Sequence, residues 1–368
     1  MITRRAVLIS SVFTTGVVSQ KPVFALSPTD LPSTAVEQST GENGSDNARH
    51  GHWSKCADMP FAVQEIYPTK TQIGGEQHII NAGGIATGLT YPVKRKTILY
   101  NPITNSWREG ASLPKRRHHI SLASVNGDVY AIGGFTNDKL AFWKMCSDVW
   151  RISDPVAGEW EPAPALPRPQ AEASCLAVNE KIHFIGGRQQ RGEANKGYLD
   201  HTDTDNHLVF DTKLGTWEQR TPLPTARNSS GFAELNGEIY VISGRTVSDG
   251  NTPVCEVYNP IEDRWRTIAP LPKSMRPNAP QGQGGTAAAS FNGKVYCFGG
   301  EWFGQMPGVY PDAWEYDPQS DHWRAVQPMI RPRHGLGAVT LNDGIYLLGG
   351  ASGPSSKGVT AYLDRFVI

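Results

Sequence analysis

The sequence lacks an excess of either charge. Lysine plus arginine and aspartate plus glutamate each number 35, so the formal net charge of the 368 residues is zero. Proteins that bind nucleic acid or an anionic membrane surface usually carry a basic excess. The composition therefore argues against both kinds of partner.

The sequence also lacks an apolar run long enough to span a bilayer. Residues 6–18 (AVLISSVFTTGVV) form a short apolar stretch after a basic start, and Val23 and Ala25 have the positions typical of a cleavage site after Ala25. These marks predict an export signal over residues 1–25 and a periplasmic or secreted location. The stretch around Arg4 and Arg5 resembles the twin-arginine type, which exports folded proteins, and an ordinary Sec signal is the alternative.

Large apolar side chains are nearly missing from residues 26–50, which are rich in Ser, Thr, Pro and Gly. Such a segment cannot bury a core, and this composition is typical of flexible linkers. We therefore predict a flexible linker over residues 26–50 and a folded domain over residues 51–368.

Cysteine is scarce for an exported chain. Five cysteines allow at most two disulfides and leave one thiol over. Cys175 and Cys297 lie in predicted strands, where a free cysteine behaves as a small apolar residue. The pairing of Cys56, Cys146 and Cys255 stays open, and we favour the absence of an essential disulfide.

Glycine pairs recur through the rest of the chain at intervals of 50 to 57 residues. They are Gly83-Gly84, Gly133-Gly134, Gly186-Gly187, Ser243-Gly244, Gly299-Gly300 and Gly349-Gly350. A tryptophan series runs in phase with them: Trp53, Trp107, Trp160, Trp217, Trp265 and Trp323. A period near 50 residues with both marks indicates a β-propeller repeat.

Each repeat predicts four short antiparallel strands. In the second repeat, residues 121–125 alternate in side-chain size, Asn126-Gly127 predicts a two-residue hairpin turn, and residues 128–132 end at the glycine pair. A third strand follows with an aromatic residue, and the fourth strand carries the tryptophan, whose ring can pack between neighbouring sheets.

These marks resemble those of kelch-repeat β-propellers. The resemblance implies an all-β, six-bladed kelch propeller over residues 51–368, acting as a monomer. Because Trp53 has no earlier strands and the last repeat lacks a tryptophan, we expect the N-terminal strand to complete the sixth blade and close the ring.

Two sets of residues are expected on one face of such a ring. One set follows the proline turn before the first strand of a blade: Arg117, His118 and His119, Arg168 with Glu172, Arg227 and Asn228, Arg276, and Arg333 and His334. The other follows the glycine pairs: Arg188, Arg245 and Glu301, with Trp302 next to it. An arginine cluster favours an anionic ligand, because the guanidinium group matches a carboxylate. A structural role for these arginines is the alternative.

Loop aromatics outside the repeat register, Trp302, Phe303 and Trp143, could form a surface on which a sugar ring stacks. We predict no cofactor and no metal site. The polar run 201–207 lacks the glycine and the final bidentate acid of a calcium loop.

Three functional classes are consistent with these patterns. The chain resembles exported bacterial, periplasmic kelch propellers that interconvert the anomers of N-acetylneuraminate, in which a Glu after a blade's glycine acts as base with an Arg a few residues on. Gly300-Glu301 matches this pattern, although no Arg occurs in residues 301–308. The resemblance implies a sugar-acid mutarotase or epimerase, an isomerase, with Glu301 as the catalytic base and Arg227, Arg245 or Arg333 binding the carboxylate.

The second class is a non-catalytic scaffold that binds a protein or a glycan. The third is a copper oxidase of the galactose oxidase type, which requires an adjacent Tyr-His pair that this sequence lacks. We therefore expect an exported propeller that recognises a carbohydrate or another small anionic ligand at an arginine-rich mouth.

Overall fold

The structure is a computed structural model that describes residues 50–86, 92–138 and 141–368. The predicted export signal and all but the last residue of the predicted linker lie outside the described residues. Within them, no helix is long and apolar enough to cross a membrane.

Four-stranded antiparallel sheets, here called blades, make up most of the described chain. Strand β1 is His52–Lys55. The first blade contains β2 (Thr69–Ile73), β3 (Glu76–Ala82), β4 (Thr97–Asn101) and β5 (Ser106–Gly110). The second contains β6 (Ser121–Val125) and β7 (Asp128–Ile132), then the side hairpin β8 (Phe135–Asp138) and β9 (Ala141–Met145), and then β10 (Val149–Ile152) and β11 (Glu161–Ala163).

The third blade is preceded by β12 (Gln170–Ala171) and begins with β13 (Ser174–Val178) and β14 (Lys181–Ile185). Its side loop holds β15 (Arg188–Gln190), a single 3-10 turn (Tyr198–Asp200) and β16 (His201–Asp203). Strands β17 (His207–Asp211) and β18 (Thr216–Gln219) complete it.

The fourth blade has β19 (Gly231–Leu235), β20 (Glu238–Ile242), the side hairpin β21 (Arg245–Thr246) and β22 (Gly250–Asn251), β23 (Cys255–Asn259) and β24 (Arg264–Ile268).

The fifth blade has β25 (Ala287–Phe291), β26 (Lys294–Phe298), the side hairpin β27 (Glu301–Trp302) and β28 (Gly308–Val309), β29 (Ala313–Asp317) and β30 (His322–Ala325). The sixth has β31 (Gly337–Leu341), β32 (Gly344–Leu348) and β33 (Leu363–Val367), and β1 is its outer strand. In that pairing Trp53 lies opposite Phe366. The described part of the chain therefore holds six four-stranded sheets.

Hydrophobic clusters lie between successive blades. The cluster with Leu122 and Leu99, for example, joins the second blade to the first, and the cluster with Val339 and Ile79 joins the sixth blade to the first. Large apolar side chains on both faces of each sheet are therefore covered by the neighbouring sheets, as expected for radially packed blades. The predicted all-β propeller fold is confirmed.

The repeat tryptophans hold neighbouring blades together by polar contacts as well. Each indole N–H donates to a backbone carbonyl just beyond the outer strand of the preceding blade. The pairs are Trp107 with Ala57, Trp160 with Ala111, Trp217 with Pro164, Trp265 with Thr221, Trp323 with Ala269 and Trp53 with Gln327. The repeat tryptophans therefore have a structural role, which is to join neighbouring blades.

The first strands of all six blades line a central channel of about 370 Å³. Most of the side chains that line it are small, such as those of Ala177 and Ala289. The rings of Tyr67 and Phe232, from the first and fourth blades, stack with centroids 6.2 Å apart. Since these blades are opposite each other in the chain order of six, this pair crosses the channel.

All five cysteines lie in the described part of the chain, and all are free thiols. Burial raises the pKa of Cys175, Cys255 and Cys297, which behave as small core residues. The absence of an essential disulfide stays a prediction.

Candidate functional site

One backbone position before the first strand of each blade adopts a left-handed conformation. Its residues have φ between 49° and 65°: Glu65, His119, Glu172, Ser229, Gly285 and Gly335. Backbone hydrogen bonds run from blade to blade along this series, for instance from Gly335 N to Gly285 O at 2.9 Å and from Glu65 N to Gly335 O at 2.7 Å. The series therefore encircles one end of the channel, which we call the mouth.

The residues that follow the glycine pairs lie beside this series. Short antiparallel bridges join Asn228 to Arg245, Gly284 to Glu301 and Ala171 to Arg188. The prediction that the two sets of loop residues share one face is therefore consistent with the pairing. Arg188, Arg245 and Glu301 all reach the mouth.

The ionisable side chains at the mouth form one continuous network in which basic and acidic groups alternate. From one end to the other it runs Arg188, Glu172, His119, Glu65, His334, Glu301 and Arg245, with N–O distances of 3.7, 3.4, 2.9, 3.9, 3.4 and 2.7 Å. Every blade contributes at least one member of this charge network.

Polar contacts connect the two ends of the charge network. Nε of Arg245 lies 3.4 Å from Oδ1 of Asn228, and Oγ of Ser229 lies 2.9 Å from the same oxygen. The Ser229 oxygen is also 3.1 Å from Oε2 of Glu172. Side chains of the fourth blade therefore link Arg245 back to Glu172, and the network encircles the axis.

The hydrogen bonds of His118 fix the protonation of His119. Nε2 of His118 must donate to the Phe142 carbonyl, 3.0 Å away, because a carbonyl only accepts. Burial and the neighbouring His119 hold the pKa of His118 well below its usual value, so His118 is neutral and its Nδ1 accepts from Nδ1 of His119 at 2.7 Å. His119 also faces the Glu65 carboxylate through Nε2, and it therefore carries both protons.

The electrostatics of the mouth keep its glutamates ionised. Burial raises the pKa of Glu65, but the neighbouring His119, His334 and Arg245 lower it by a larger amount. The pKa of Glu65 therefore lies below its ordinary value. For Glu172, burial is likewise outweighed by Arg188, His119 and Arg245, and its pKa is lowered. Burial lowers the pKa of Arg245 and the carboxylates Glu301 and Glu172 raise it, with a net increase.

The charge network forms the floor of a cavity of about 470 Å³, which we call the mouth cavity. Glu65, His119, Arg245 and Glu301 reach it from below. Its walls carry four aromatic side chains: Phe142, Trp143, Tyr198 and Phe303. Trp143 meets Tyr198 edge to face at 5.4 Å, and the Arg245 guanidinium lies 5.6 Å from the Phe303 ring centre.

The two carboxylates that line the mouth cavity, Glu301 and Glu65, differ in the hydrogen bonds that their oxygens accept. Glu301 accepts from Arg245 at one oxygen and from the backbone N–H of Ser355 at the other, both at 2.7 Å, and its side chain is 2% exposed. Glu65 is 11% exposed, and its Oε1 lies 3.9 Å from Nδ1 of His334, too far for a direct hydrogen bond. Glu65 is therefore the carboxylate with an acceptor oxygen available at the cavity.

Three of the predicted ligand-binding arginines lie elsewhere. Arg117, Arg227 and Arg333 are at most 1% exposed and are bound within their own blades to Asp148, Glu256 and Asp364. Arg227, for example, also donates to the carbonyls of Ser243, Thr225 and Val241. The structure does not bring these three guanidinium groups to the mouth cavity, and of the predicted arginines only Arg245 lines it.

The other predicted residues lie near the cavity in different roles. His118 is fully buried behind His119, and His334 bridges Glu65 and Glu301. Arg188 is buried beneath the Tyr198 ring, 3.7 Å from its centre. Trp302 is 5% exposed, donates to the Met306 carbonyl and packs on Tyr310, so Phe303 rather than Trp302 lines the mouth cavity.

Three members of the charge network, Glu65, His119 and Glu172, are missing from the predicted ligand-binding residues. Residues 301–308 contain no arginine, and Glu301 pairs with Arg245 of the fourth blade. Within the residues that the structure describes, no cluster of three or more His, Cys, Asp or Glu side chains is arranged to hold a metal ion.

Comparison with known families gives two matches. Residues 173–364 match the model of the KLHDC2/KLHL20/DRC7 Kelch-repeats domain, and residues 116–167 match the Kelch motif. The first match alone covers more than half of the chain.

Curated relatives share the repeats at low identity. The chain is 26% identical to Kelch-like protein terF of Aspergillus terreus over 82% of its own length and 64% of that protein. It is 25% identical to mouse Kelch-like protein 35 and 23% identical to human Kelch-like protein 23, covering 38% and 43% of those proteins. The chain therefore spans less than two thirds of the length of these relatives.

Among solved structures, that of YjhT superposes with a TM-score of 0.69 at 16% identity, over 83% of this chain and 95% of YjhT. At this identity the similarity concerns the fold alone.

Proposed function

The chain belongs to the kelch-repeat family, and we propose that it binds a sugar acid, a saccharide with one carboxylate, in the mouth cavity. The observation that carries the proposal is the combination of four aromatic walls with a charged floor in a cavity of about 470 Å³. Aromatic rings accept the apolar face of a sugar, while charged groups bind its hydroxyls and carboxylate.

The charge of the floor favours a monoanion. Arg188, Arg245 and the doubly protonated His119 balance Glu65, Glu172 and Glu301. His334 donates through Nε2 to the Ser355 carbonyl at 2.8 Å, and its Nδ1 faces two carboxylates. The Arg245 guanidinium and the His119 imidazolium both reach the mouth cavity, and these two cations suit one ligand carboxylate.

Arg245 and Glu65 are the groups we assign to the ligand. Arg245 lines the mouth cavity, and its bonds to Glu301 and Asn228 use Nη1 and Nε, so Nη2 is assigned to the ligand carboxylate. Oε1 of Glu65 is assigned to a ligand hydroxyl, which donates to it. Gly335 leaves space for this carboxylate, since a Cβ there would lie 2.8 Å from Oε1.

Calorimetric titration with N-acetylneuraminate, glucuronate, glucose and N-acetylmannosamine tests the proposal. We expect the two acids to bind at least tenfold more tightly than the neutral sugars, and Arg245→Gln to remove this preference. Arg266→Gln is the matched control, because Arg266 pairs with Glu238 on the surface. Equal affinity for acids and neutral sugars, or no binding of any of them, would contradict the proposal.

Catalysis of anomer exchange is a second candidate, favoured by the position of Glu301 in the cavity floor with His334 at 3.4 Å. In this reaction Glu301 takes the proton of the anomeric hydroxyl, the bond between the ring oxygen and the anomeric carbon breaks, and the ring oxygen receives that proton from Glu301. Closure on the other face, with the proton returned, gives the second anomer.

Exchange between anomers is measurable by proton NMR on freshly dissolved α- or β-anomers of the same sugars. We expect a rate above the buffer rate that Glu301→Gln abolishes while binding persists. Binding of sugar acids without faster exchange would leave a glycan-binding scaffold. Capture of a protein partner at this face, with no sugar bound, would favour a protein-binding scaffold instead.

We further propose export in the folded state. Five buried or half-buried free thiols are compatible with folding in a reducing compartment before transport, as the twin-arginine route requires. N-terminal sequencing of the mature protein from the periplasmic fraction, with Arg4→Lys and Arg5→Lys together as the blocking variant, tests both the route and the cleavage after Ala25.

A further inference from the structure

A second cavity lies beside the mouth cavity and shares one of its walls. It has a volume of about 320 Å³ and is lined by Asn278, Pro280, Trp302, Phe303, Gln305 and Met306. Phe303 lines both cavities and is 55% exposed. The two cavities are therefore neighbours across a single aromatic ring.

The hairpin of β27 and β28 holds Phe303 in this place. Trp302 is fixed below it by the hydrogen bond to Met306, the ring contact with Tyr310 and the absence of a side chain at Gly308, where a Cβ would lie 2.4 Å from the indole. Gly304, with φ of 118°, turns the chain directly after Phe303. The exposed ring is thus mounted on a well-packed base.

The lining of the second cavity combines amides with aromatic rings. Asn278 and Gln305 are exposed and offer both donors and acceptors, and the Arg276 guanidinium lies 5.6 Å from the Trp302 ring centre. Neutral amides next to an aromatic ring suit the hydroxyls and the apolar face of an uncharged sugar unit. The second cavity lacks the carboxylates of the mouth cavity, so it suits a different part of a ligand.

We propose that the second cavity is a subsite for the next sugar unit of an oligosaccharide whose acidic unit occupies the mouth cavity. This inference rests on the proposed binding of a sugar acid. The linkage between the two units passes over Phe303, and Asn278 and Gln305 bind the hydroxyls of the second unit.

Matched pairs of ligands separate the two cavities in calorimetric titrations. The probes are N-acetylneuraminate with the disaccharide in which it is α2,3-linked to galactose, and glucuronate with an aldobiouronic acid that adds a glucose unit. We expect at least one disaccharide to bind about tenfold more tightly than its monosaccharide. The double variant Asn278→Ala, Gln305→Ala should bind that disaccharide only as tightly as the monosaccharide, whose own affinity should stay unchanged.

Gln319→Ala is the control, because Gln319 is exposed on a turn between β29 and β30 and lies in neither cavity. Unchanged monosaccharide binding with no gain for either disaccharide would overturn the subsite and leave the proposed function standing. A disaccharide gain that survives the double variant would overturn it as well. If the unmodified protein binds none of these sugars, the proposed function itself is refuted.

Discussion

Arg227 and Arg245 both belong to the fourth blade, and their guanidinium groups have different surroundings. Arg227 is 1% exposed and bound to Glu256 and three carbonyls, whereas Arg245 is 12% exposed at the cavity. A buried cation whose three nitrogens all donate hydrogen bonds within its own blade stabilises the fold and is not presented to a ligand. At the scale of the residue, position within the blade therefore separates structural from ligand-binding arginines.

Arg227→Leu should lower the free energy of unfolding by about 3–5 kcal/mol, because it leaves the Glu256 carboxylate buried without its main partner. Urea denaturation at neutral pH measures the change. Arg266→Leu, which removes an exposed pair with Glu238, should cost about 1 kcal/mol or less. A loss of sugar affinity without a loss of stability in Arg227→Leu would instead indicate a ligand contact.

A buried histidine pair in the third blade makes stability depend on pH. His183 Nδ1 lies 2.9 Å from His207 Nε2, and burial lowers the pKa of His183 to about 3 and that of His207 to about 4. In the unfolded chain both titrate near 6.5.

Because the folded state keeps both histidines neutral, their contribution is fully present above about pH 6.5 and is lost as the pH falls towards 4. We expect each histidine to account for a loss on the order of 3 kcal/mol over that interval, and the pair for about twice that. Urea denaturation between pH 7 and pH 4 measures it. His183→Phe should flatten the dependence, and an unchanged slope would show that other groups cause the acid loss.

Sequence reasoning located Arg188, Arg245 and Glu301 because they directly follow the glycine pairs. Five of the left-handed positions at the mouth lie 14 residues before the first residue of the following Gly-Gly or Ser-Gly pair: His119, Glu172, Ser229, Gly285 and Gly335. This constant spacing could have revealed the series from the sequence. Glu65 lies 18 residues before Gly83, because the first blade has a longer inner hairpin. Contacts between blades, such as Arg245 with Glu301, depend on distances that no local pattern encodes.

At the scale of the element, the first glycine of each pair allows close approach between blades. A Cβ at Gly299 would lie 2.3 Å from the Arg333 carbonyl of the next blade, and the following N–H, that of Gly300, donates to the same carbonyl at 3.1 Å. The fourth blade has Ser243 in this place, with φ of 54°. Its hydroxyl accepts from Gln283 N and donates to the Thr252 carbonyl, so it bonds to the neighbouring backbone instead of clashing with it.

Gly299→Ala should therefore cost about 2–4 kcal/mol of unfolding free energy, from left-handed strain together with the clash. Gly293→Ala is the matched control, since Gly293 has φ of 74° and open space around its Cβ position. It should cost about 1 kcal/mol. Equal costs for the two variants, measured by urea denaturation, would show that the contact between blades adds nothing.

The strand order was readable from the sequence because each strand carries local marks, such as Asn126-Gly127 at the inner hairpin, with φ of 52° and 90°. The side hairpins were harder to foresee. The pairs β21 with β22 and β27 with β28 are two residues long, and their position depends on packing against other loops.

At the scale of the whole molecule, β1 joins the two ends of the described chain. Trp53 donates to the Gln327 carbonyl of the fifth blade and packs on Phe366 and Phe298. This one side chain therefore links the first described strand to the last strand and to the fifth blade.

Trp53→Ala should lower the free energy of unfolding by about 3 kcal/mol and leave a single cooperative transition, because the six interfaces between blades depend on one another. Calorimetry and urea denaturation together measure both quantities. Leu214→Ala, at a 75% exposed position, should change stability by about 0.5 kcal/mol or less. A second transition in Trp53→Ala would show that the sixth blade unfolds independently.

The charge network also bears on how new specificities could arise in this protein. Its members reach the mouth from all six blades, and neighbouring members belong to different blades except for Glu172 and Arg188 of the third blade. A substitution such as Glu65→Gln or His334→Asn therefore alters one charge while the others keep their backbone support. Binding preferences can diverge by independent single steps, and seven such positions give a large set of combinations on one unchanged scaffold.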